Sequence, residues 1–258
     1  MQKSSSDFAS QKAPPLRILV TGFGSFPGVH DNPAAVLIHA LGKDQARLAR
    51  LGIALERAML PVDYAGVERT LEELNETLKP DAVLHFGLAG RRRFFSIETQ
   101  ALNRLNLLRC DVSGARAPRQ AIVPGASHVL RSTFPTRQIE AALRRARLPA
   151  RLSANAGDYV CNETLYLSLA RSPARVAGFI HVPRLARAGR PAGTARSSSP
   201  DLADLSRAAL IAIRATALRL RQDFTQNLTK ERVATPEQHD FVKKPEKHPA
   251  LDPARSMA

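Results

Sequence analysis

The sequence predicts an α/β fold: a single three-layer α/β/α domain built on a mainly parallel, twisted sheet. Between residues 16 and 222, short apolar runs alternate with segments of helical periodicity, and several segments end at glycine or proline. Strands that are separated by helices pair in parallel and are covered on both faces. The 258 residues suit one large domain or two small ones.

The first elements follow from local signals. The apolar run Leu16–Thr21 closes at Gly22 and predicts a buried strand. Asn32 precedes Pro33 and can cap a helix over Ala34–Leu41, because Asn at the N-cap and Pro at the first helical position are both favoured.

A second strand, a helix and a third strand come next. We predict the second strand at Ile53–Leu60. Asp63 can cap the helix Tyr64–Leu78, whose apolar residues recur at helical spacing. Pro80 ends that helix, and Ala82–Phe86 is predicted to be the third strand.

The C-terminal half is less regular. Phe94–Leu102 has an extended but ambiguous pattern, and Leu108–Ala126 is irregular or hairpin-like. Ala188–Pro200 is a loop rich in Gly, Ser and Arg. We predict helices at Arg137–Ala146 and Tyr159–Leu169, a strand at Val176–Val182 and a long last helix at Asp201–Gln222.

The two ends of the chain differ from the middle in composition. Residues 1–15 are rich in Ser, Gln and Lys, and residues 226–258 combine several prolines with Lys, Glu and His. Such segments bury little apolar surface and form no long helix. We therefore predict disordered ends and one folded domain over residues 16–225.

The chain is strongly basic, with 38 Lys and Arg against 23 Asp and Glu and a formal net charge of +15. A nucleic-acid-binding protein is one interpretation of this charge. The basic residues are nevertheless spread along the whole chain, and the runs Arg91–Arg93 and Arg144–Arg147 are not interleaved with aromatic residues. Solvated arginine faces are the interpretation that we favour.

Cysteine use and hydropathy indicate the compartment. Cys110 and Cys161 are the two cysteines, too few for a disulfide framework, and no Cys or His pair has metal-ligand spacing. We therefore expect no metal cluster. Met1–Pro15 carries no apolar run, and no stretch approaches the ~20 apolar residues of a membrane span. A reducing, cytoplasmic location and no membrane partner are expected.

The turn after the first strand contains glycines and aromatic residues. Gly22 and Gly24 begin a dinucleotide-like spacing, but Pro27 occupies the third glycine position. A tight turn at a strand end explains these glycines equally well. A further interpretation is that Phe23 and Phe26 line a small apolar pocket at the carboxyl end of the sheet, where α/β proteins bind ligands.

Three residues could form an activated thiol. Cys161 falls near the start of a predicted helix, where the backbone N–H groups favour a thiolate. His181 ends a predicted buried strand, and Glu98 lies between apolar residues, where it could orient an imidazole. Each has an ordinary alternative, since Cys161 could be a small core residue, His181 a satisfied core histidine and Glu98 one glutamate among many.

Four segments in this order make the chain similar to the pyroglutamyl-peptidase I family, peptidase family C15. The similarity spans roughly residues 16–222, and the last segment, with its two motifs in the right order, is the specific part. The segments are Val20–Phe26 with Asn32–Pro33, then Leu60–Val62, then Phe86–Gly90 running to Ile97–Glu98 and Asn103, and finally Ala156–Asn162 followed by Gly178–Pro183.

The resemblance implies a compact α/β/α fold and a cysteine peptidase that removes N-terminal pyroglutamate through a thioester. It implies Cys161 as the nucleophile, His181 as the general base and then acid, and Glu98 as the residue that orients it. It also implies a peptide substrate with a blocked N-terminus, a dimer or tetramer, and no metal or cofactor. The substrate-binding residues that it implies are Phe23, Phe26, Leu88 and Val160.

Several positions depart from the family pattern. Leu88 stands where the family usually has Gln, and Arg91–Arg93 stands where it usually has Gly-Gly-Arg. Glu98 is followed by Thr99-Gln100, where Arg-Val is usual, and Asp158 replaces the usual Thr or basic residue. These departures keep a second hypothesis open. It is a divergent member that acts on another N-blocked peptide or amide, or a non-catalytic binding protein with the same fold.

Overall fold

A computed structural model gives the fold and describes residues 14–186 and 199–234, with side-chain surroundings up to residue 226. The strands are β1 Leu16–Phe23, β2 Ile53–Leu60, β3 Ala82–Leu88, β4 Phe95–Glu98, β5 Gln100–Leu102, β6 Val129–Arg131, β7 Ala150–Ser153 and β8 Val176–Val182. The helices are α1 Pro33–Ala40, α2 Gln45–Arg50 (after the 3-10 turn Leu41–Asp44), α3 Tyr64–Leu78, α4 Thr136–Arg145, α5 Val160–Arg171 and α6 Leu202–Ala234.

Most predicted elements are confirmed, and β2, α3 and β8 have the predicted bounds. The start of α1 is also as expected, because the Asn32 side chain accepts from the Ala34 N–H at 3.1 Å. The strands β1 and β3 run past their predicted ends to Phe23 and Leu88, since Gly22 and Gly87 stay within the sheet. The ambiguous segment 94–102 forms two short strands, β4 and β5.

The last helix was predicted too short. It continues past Gln222 and ends at Ala234. One compact unit of the chain ends at Gln222, and the described residues of the second unit are 223–234. Residues 226–234 of the expected disordered tail therefore belong to α6. Residues 1–13 and 235–258 of the expected disordered ends, and residues 188–198 of the expected loop, lie outside the described residues. Across the described ranges, no helix is both long enough and apolar enough to cross a membrane.

The main sheet has six strands in the order β2-β1-β3-β8-β4-β7. All neighbouring pairs are parallel except β4 and β8, which are antiparallel. The strands β1, β3 and β8 are almost fully buried, as expected for strands with helices on both faces. A separate two-stranded sheet pairs β5 with β6.

Helices cover both faces of the sheet, which confirms the three-layer prediction. On one face, α5 packs on β3 and β8, and α3 packs against α5. On the other face, a Cβ added at Gly22 would lie 2.7 Å from Ile38 of α1, so the helix approaches the strand closely. Phe134, just before α4, covers Gly178 of β8 on that same face. Helix α6 lies beside α4, since residues of both line one surface groove.

A buried histidine connects α5 to the sheet. His85 of β3 is fully buried, with Nδ1 at 2.7 Å from Thr21 Oγ1 of β1 and Nε2 at 2.8 Å from Ser168 Oγ of α5. Burial lowers the pKa of His85 to about 3, so the imidazole is neutral near pH 7. The hydrogen bonds fix how α5 sits on β3, and sequence reasoning had not identified this residue.

We expect Gly178→Ala to destabilise the protein by about 1–3 kcal/mol, because an added methyl group would overlap the ring of Phe134 and force the core apart. The free energy of unfolding in urea measures this effect. The matched control is Gly24→Ala, since an added Cβ at Gly24 meets nothing within 4 Å. Equal stability of the two variants would contradict the close packing of Phe134 on Gly178 of β8.

Candidate active site

Strands β3, β8 and β4 bring the candidate residues to one place on the sheet. In the β3–β8 pairing Gly87 lies opposite His181, and in the β8–β4 pairing Ser96 lies opposite His181 from the other side. Directly paired residues share a face of the sheet, and residues two apart on a strand also share a face. Glu98 therefore lies on the same face as His181, although the two are far apart in sequence.

His181 and Glu98 form a buried pair. Nδ1 of His181 lies 2.8 Å from Oε1 of Glu98, and the glutamate side chain is fully buried. Burial raises the pKa of Glu98. The hydrogen bond and charge of His181, and hydrogen bonds from Ser153 and Arg92, lower the pKa by more, so that it lies below its ordinary value. The carboxylate is therefore ionised near neutral pH and accepts the Nδ1–H. This leaves Nε2 as the imidazole nitrogen that can accept a proton.

Arg92 is a second partner of the buried carboxylate. Its Nη1 donates to Oε1 of Glu98 at 2.8 Å, and its Nη2 donates to the carbonyl of Asn155 at 2.9 Å. The guanidinium compensates a charge that would otherwise be costly to bury. Sequence reasoning missed this role, because Arg92 stands within a run of arginines that predicts a solvated surface.

Cys161 is the second residue of α5, and the loop before the helix sets its position. Gly157 has φ of +92°, a conformation that glycine adopts without strain, and its N–H donates to Asn155 Oδ1 at 2.9 Å. Tyr159 is the extended N-cap residue, although its side chain makes no capping hydrogen bond. This loop therefore sets where α5 begins and where Cys161 lies.

The sulfur of Cys161 lies directly over Gly87. A Cβ built on Gly87 would be 3.2 Å from Cys161 Sγ and 2.6 Å from Phe179 Cζ. Gly87 is the β3 residue opposite His181, and the Phe179 and His181 rings are 4.6 Å apart between centroids. The thiol and the imidazole therefore share one face of the sheet, and the absent side chain of Gly87 leaves the space that they occupy.

Burial opposes ionisation of the resting thiol. It raises the pKa of Cys161 to about 12; the guanidinium of Arg109 lowers the pKa in part, and the Glu98 carboxylate raises it. Desolvation thus acts against the stabilisation of a thiolate that we expect from the backbone N–H groups at the start of α5. An imidazole on the same face could accept the thiol proton when the sulfur reacts.

Arg109 is a second arginine that sequence reasoning missed. Its guanidinium carbon lies 3.9 Å from the centroid of the Tyr159 ring, and its carbonyl accepts a hydrogen bond from Tyr64 at 3.2 Å. Tyr64 and Tyr159 pack edge to face. Arg109 stands in an irregular segment with no recognisable pattern, so no signal in the sequence points to its place beside the thiol.

An apolar cluster adjoins Cys161. Phe23 and Val160 belong to its buried core, and Phe26, Tyr159 and Cys161 pack against it while remaining partly exposed. Phe26 is held by a tight turn in which its N–H and carbonyl pair with those of Val29 at 3.1 and 2.8 Å. The structure thus places three of the four expected substrate-binding residues together.

Leu88 is the fourth of these residues, and its side chain lies elsewhere. It directly follows Gly87 at the end of β3, and side chains alternate between the faces of a strand. The Leu88 side chain is therefore on the face opposite Cys161, and only its backbone can face the site. The side chain of Leu88 is therefore not on the face that carries Cys161 and His181.

Two polar atoms of the site lack a protein partner. Ser96 Oγ, on the residue opposite His181, and Glu98 Oε2 are buried without a hydrogen bond among the described residues. Buried polar atoms in proteins are mostly satisfied, often by ordered water. Within residues 14–186 and 199–234, no group of three His, Cys, Asp or Glu side chains could hold a metal ion.

We expect alkylation of Cys161 by iodoacetamide to accelerate about tenfold per pH unit from about pH 7 to pH 9, without levelling off. The thiolate is the reacting species, and its fraction rises in this way at any pH well below a pKa of about 12. Rates are measured in a Cys110→Ala background, because Cys110 is a free, exposed thiol. A plateau near pH 7 would show that the resting thiol is already ionised.

Comparisons with known proteins identify the family of this chain. The family model described as pyroglutamyl peptidase matches residues 16–217. Pyrrolidone-carboxylate peptidase of Pyrococcus furiosus is 36% identical over 172 residues, which are 65% of this chain and 81% of the relative. The relative of the same name from Gloeobacter violaceus is 36% identical over 174 residues, with 66% of this chain and 82% of the relative covered.

Solved structures give the same result. The crystal structure of pyrrolidone carboxyl peptidase from Thermus thermophilus superposes with a TM-score of 0.66 at 35% identity, covering 76% of this chain and 98% of that one. A mutant of the Pyrococcus furiosus enzyme superposes with a TM-score of 0.69 at 31% identity, covering 80% and 100%. This chain belongs to the pyroglutamyl peptidase family.

Proposed function

We propose that the protein is a cysteine omega-peptidase that removes N-terminal pyroglutamate from peptides. The observation that carries this proposal is the position of the Cys161 sulfur over Gly87, on the face where His181 is paired with Glu98. A thiol, an imidazole and an orienting carboxylate are the parts of an activated nucleophile. Membership of the family supplies the substrate class.

The reaction proceeds through a thioester. Cys161 Sγ attacks the carbonyl carbon of the pyroglutamyl amide, while its proton passes to Nε2 of His181. The ionised Glu98 stabilises the imidazolium that forms, and backbone N–H groups at the start of α5 stabilise the oxyanion. The imidazolium then gives its proton to the leaving amine. Water, deprotonated by His181, cleaves the thioester and releases pyroglutamate and the free thiol.

The proposed pocket for the pyroglutamyl ring is the apolar cluster beside Cys161. A lactam has no free amino group, so it needs no anionic partner, and a flat ring packs well between aromatic side chains. Phe23, Phe26 and Val160 are the residues that we assign to this pocket, because they lie in one cluster with the thiol. Leu88 contributes its backbone alone.

The setting of the enzyme is part of the same proposal. A thiol nucleophile works while reduced, and both cysteines are free, which supports a cytoplasmic location. A dimer or tetramer of this chain is proposed from the family resemblance alone.

The first test replaces the nucleophile. In reducing buffer the wild type should release 7-amino-4-methylcoumarin from its L-pyroglutamyl amide, and Cys161→Ala should release none, because the acyl-enzyme cannot form. Cys110→Ala is the matched control and should keep wild-type activity. Full activity of Cys161→Ala would refute the nucleophile. An inactive wild type whose Cys161 still reacts with iodoacetamide would refute pyroglutamate as the substrate.

The second test removes the charge that orients His181. Glu98→Gln should lower kcat by about 10³–10⁴-fold with little change in KM, because the amide favours the wrong tautomer and does not stabilise imidazolium. The exposed Glu76→Gln is a control for loss of one negative charge. A Glu98→Gln enzyme with kcat within a few-fold of the wild type would remove Glu98 from the proposed mechanism.

A further inference from the structure

A cavity of about 300 Å³ lies beside the first turns of α3 and α5. Tyr64 of α3, Glu163 of α5 and the segment that follows β5, including Leu105 and Ile122, form its walls. Cys161, His181 and Glu98 are not among the residues that line it. The proposed peptidase reaction therefore assigns no role to this cavity.

Glu163 is the unusual residue of the cavity. It is 5% exposed, and its Oε2 is buried without a hydrogen-bond partner among the described residues. A buried carboxyl oxygen without a partner is costly, and such atoms in native proteins usually have water or a ligand.

The other carboxyl groups around the cavity have protein partners. Asp63 Oδ1 accepts from the Gly66 N–H at 2.6 Å, where it caps α3. Asp111 Oδ2 accepts from the Tyr64 N–H at 3.2 Å, and its Oδ1 accepts from the loop that follows it. Glu68 pairs with Arg171 at 2.6 Å. Among the carboxyl groups that line the cavity, Glu163 is therefore the one available to bind a ligand.

The charges around Glu163 favour a cation. Burial raises the pKa of Glu163 to about 8; Glu68, Asp63 and Asp111 also raise it, and Arg119 lowers it. The guanidinium of Arg119 is already engaged, since it donates to the carbonyls of Ala121 and Ile122 at 2.9–3.1 Å. The charged groups that line the cavity are Asp63, Glu68, Asp111, Arg116, Arg119 and Glu163.

We propose that this cavity binds a small organic cation, a primary alkylammonium, whose N–H groups donate to the Glu163 carboxylate while its alkyl chain packs on Leu105 and Ile122. An ammonium group has three donors and suits a carboxyl group with an unpartnered oxygen. A volume of about 300 Å³ is at the small end of ligand sites, which fits a chain of a few carbons.

Binding of the cation is linked to loss of a proton. Below about pH 8 the free protein holds Glu163 mostly as the neutral acid, whereas the bound ammonium pairs with the carboxylate. The ligand therefore has to displace a proton, and its affinity should rise about tenfold per pH unit up to about pH 8 and then level off.

The experiment is calorimetric titration of the full-length protein with n-butylammonium at pH 6, 7 and 8, in buffers of different ionisation enthalpy. We expect one saturable site, release of close to one proton at pH 6, and affinity that increases with pH. Glu163→Gln should weaken binding at pH 8 at least tenfold, and Glu76→Gln, an exposed change of the same kind, should leave it unchanged. n-Butanol should not bind, because it carries no positive charge.

Three results would overturn the proposal. They are no saturable heat with n-butylammonium, equal affinity in Glu163→Gln and the wild type, and an affinity that does not change with pH. The pH dependence is measured on the unmodified protein, so it decides the question even if Glu163→Gln fails to fold.

Discussion

The antiparallel pairing of β4 with β8 is the constraint on which the site depends. Because β4 runs opposite to β8, Ser96 lies across from His181, and Glu98, two residues later, lies on the same face within hydrogen-bond distance. A shift of one residue in this register would turn every side chain of β4 to the other face. The carboxylate would then be on the far side of the sheet from the imidazole.

Burial raises the pKa of Glu98 and of Cys161 alike, but the partners of the two groups differ. Glu98 keeps its charge in a dry site because His181 and Arg92 both contact Oε1. For Cys161 burial is the largest influence, and its pKa rises to about 12. The carboxylate is therefore charged at rest, whereas burial favours the neutral thiol. In the mechanism proposed above, the thiol proton moves during attack rather than before it.

The sequence predicts the fold well because most elements carry their own signals. Asn32 and Asp63 cap helices at the expected residues, and the apolar runs of β2 and β8 end where turn residues follow. Cys161, His181 and Glu98 could also be selected, since each falls at the end or the edge of such an element. The proton state of the thiol could not be predicted, because desolvation depends on what α5 is packed against.

The residues that sequence reasoning missed have roles that arise from long-range contacts. Arg92 reaches Asn155 across more than sixty positions, and Arg109 reaches Tyr159 across fifty. Neither arginine differs locally from the many arginines on the surface of this basic chain. The face of the Leu88 side chain follows from a local rule instead: its neighbour Gly87 faces the site, and the alternation of the strand turns Leu88 away.

The two buried histidines of the sheet show how partners decide chemistry. His85 and His181 lie on adjacent strands and both approach Phe179, with ring centroids 6.0 and 4.6 Å away. His85 has hydroxyl partners on both nitrogens, so no charge compensates an imidazolium, and the pKa falls to about 3. His181 instead has the carboxylate of Glu98 on Nδ1, which in the proposed mechanism stabilises the imidazolium that forms during attack. The same side chain therefore holds α5 in place at one position and is able to carry a proton at the other.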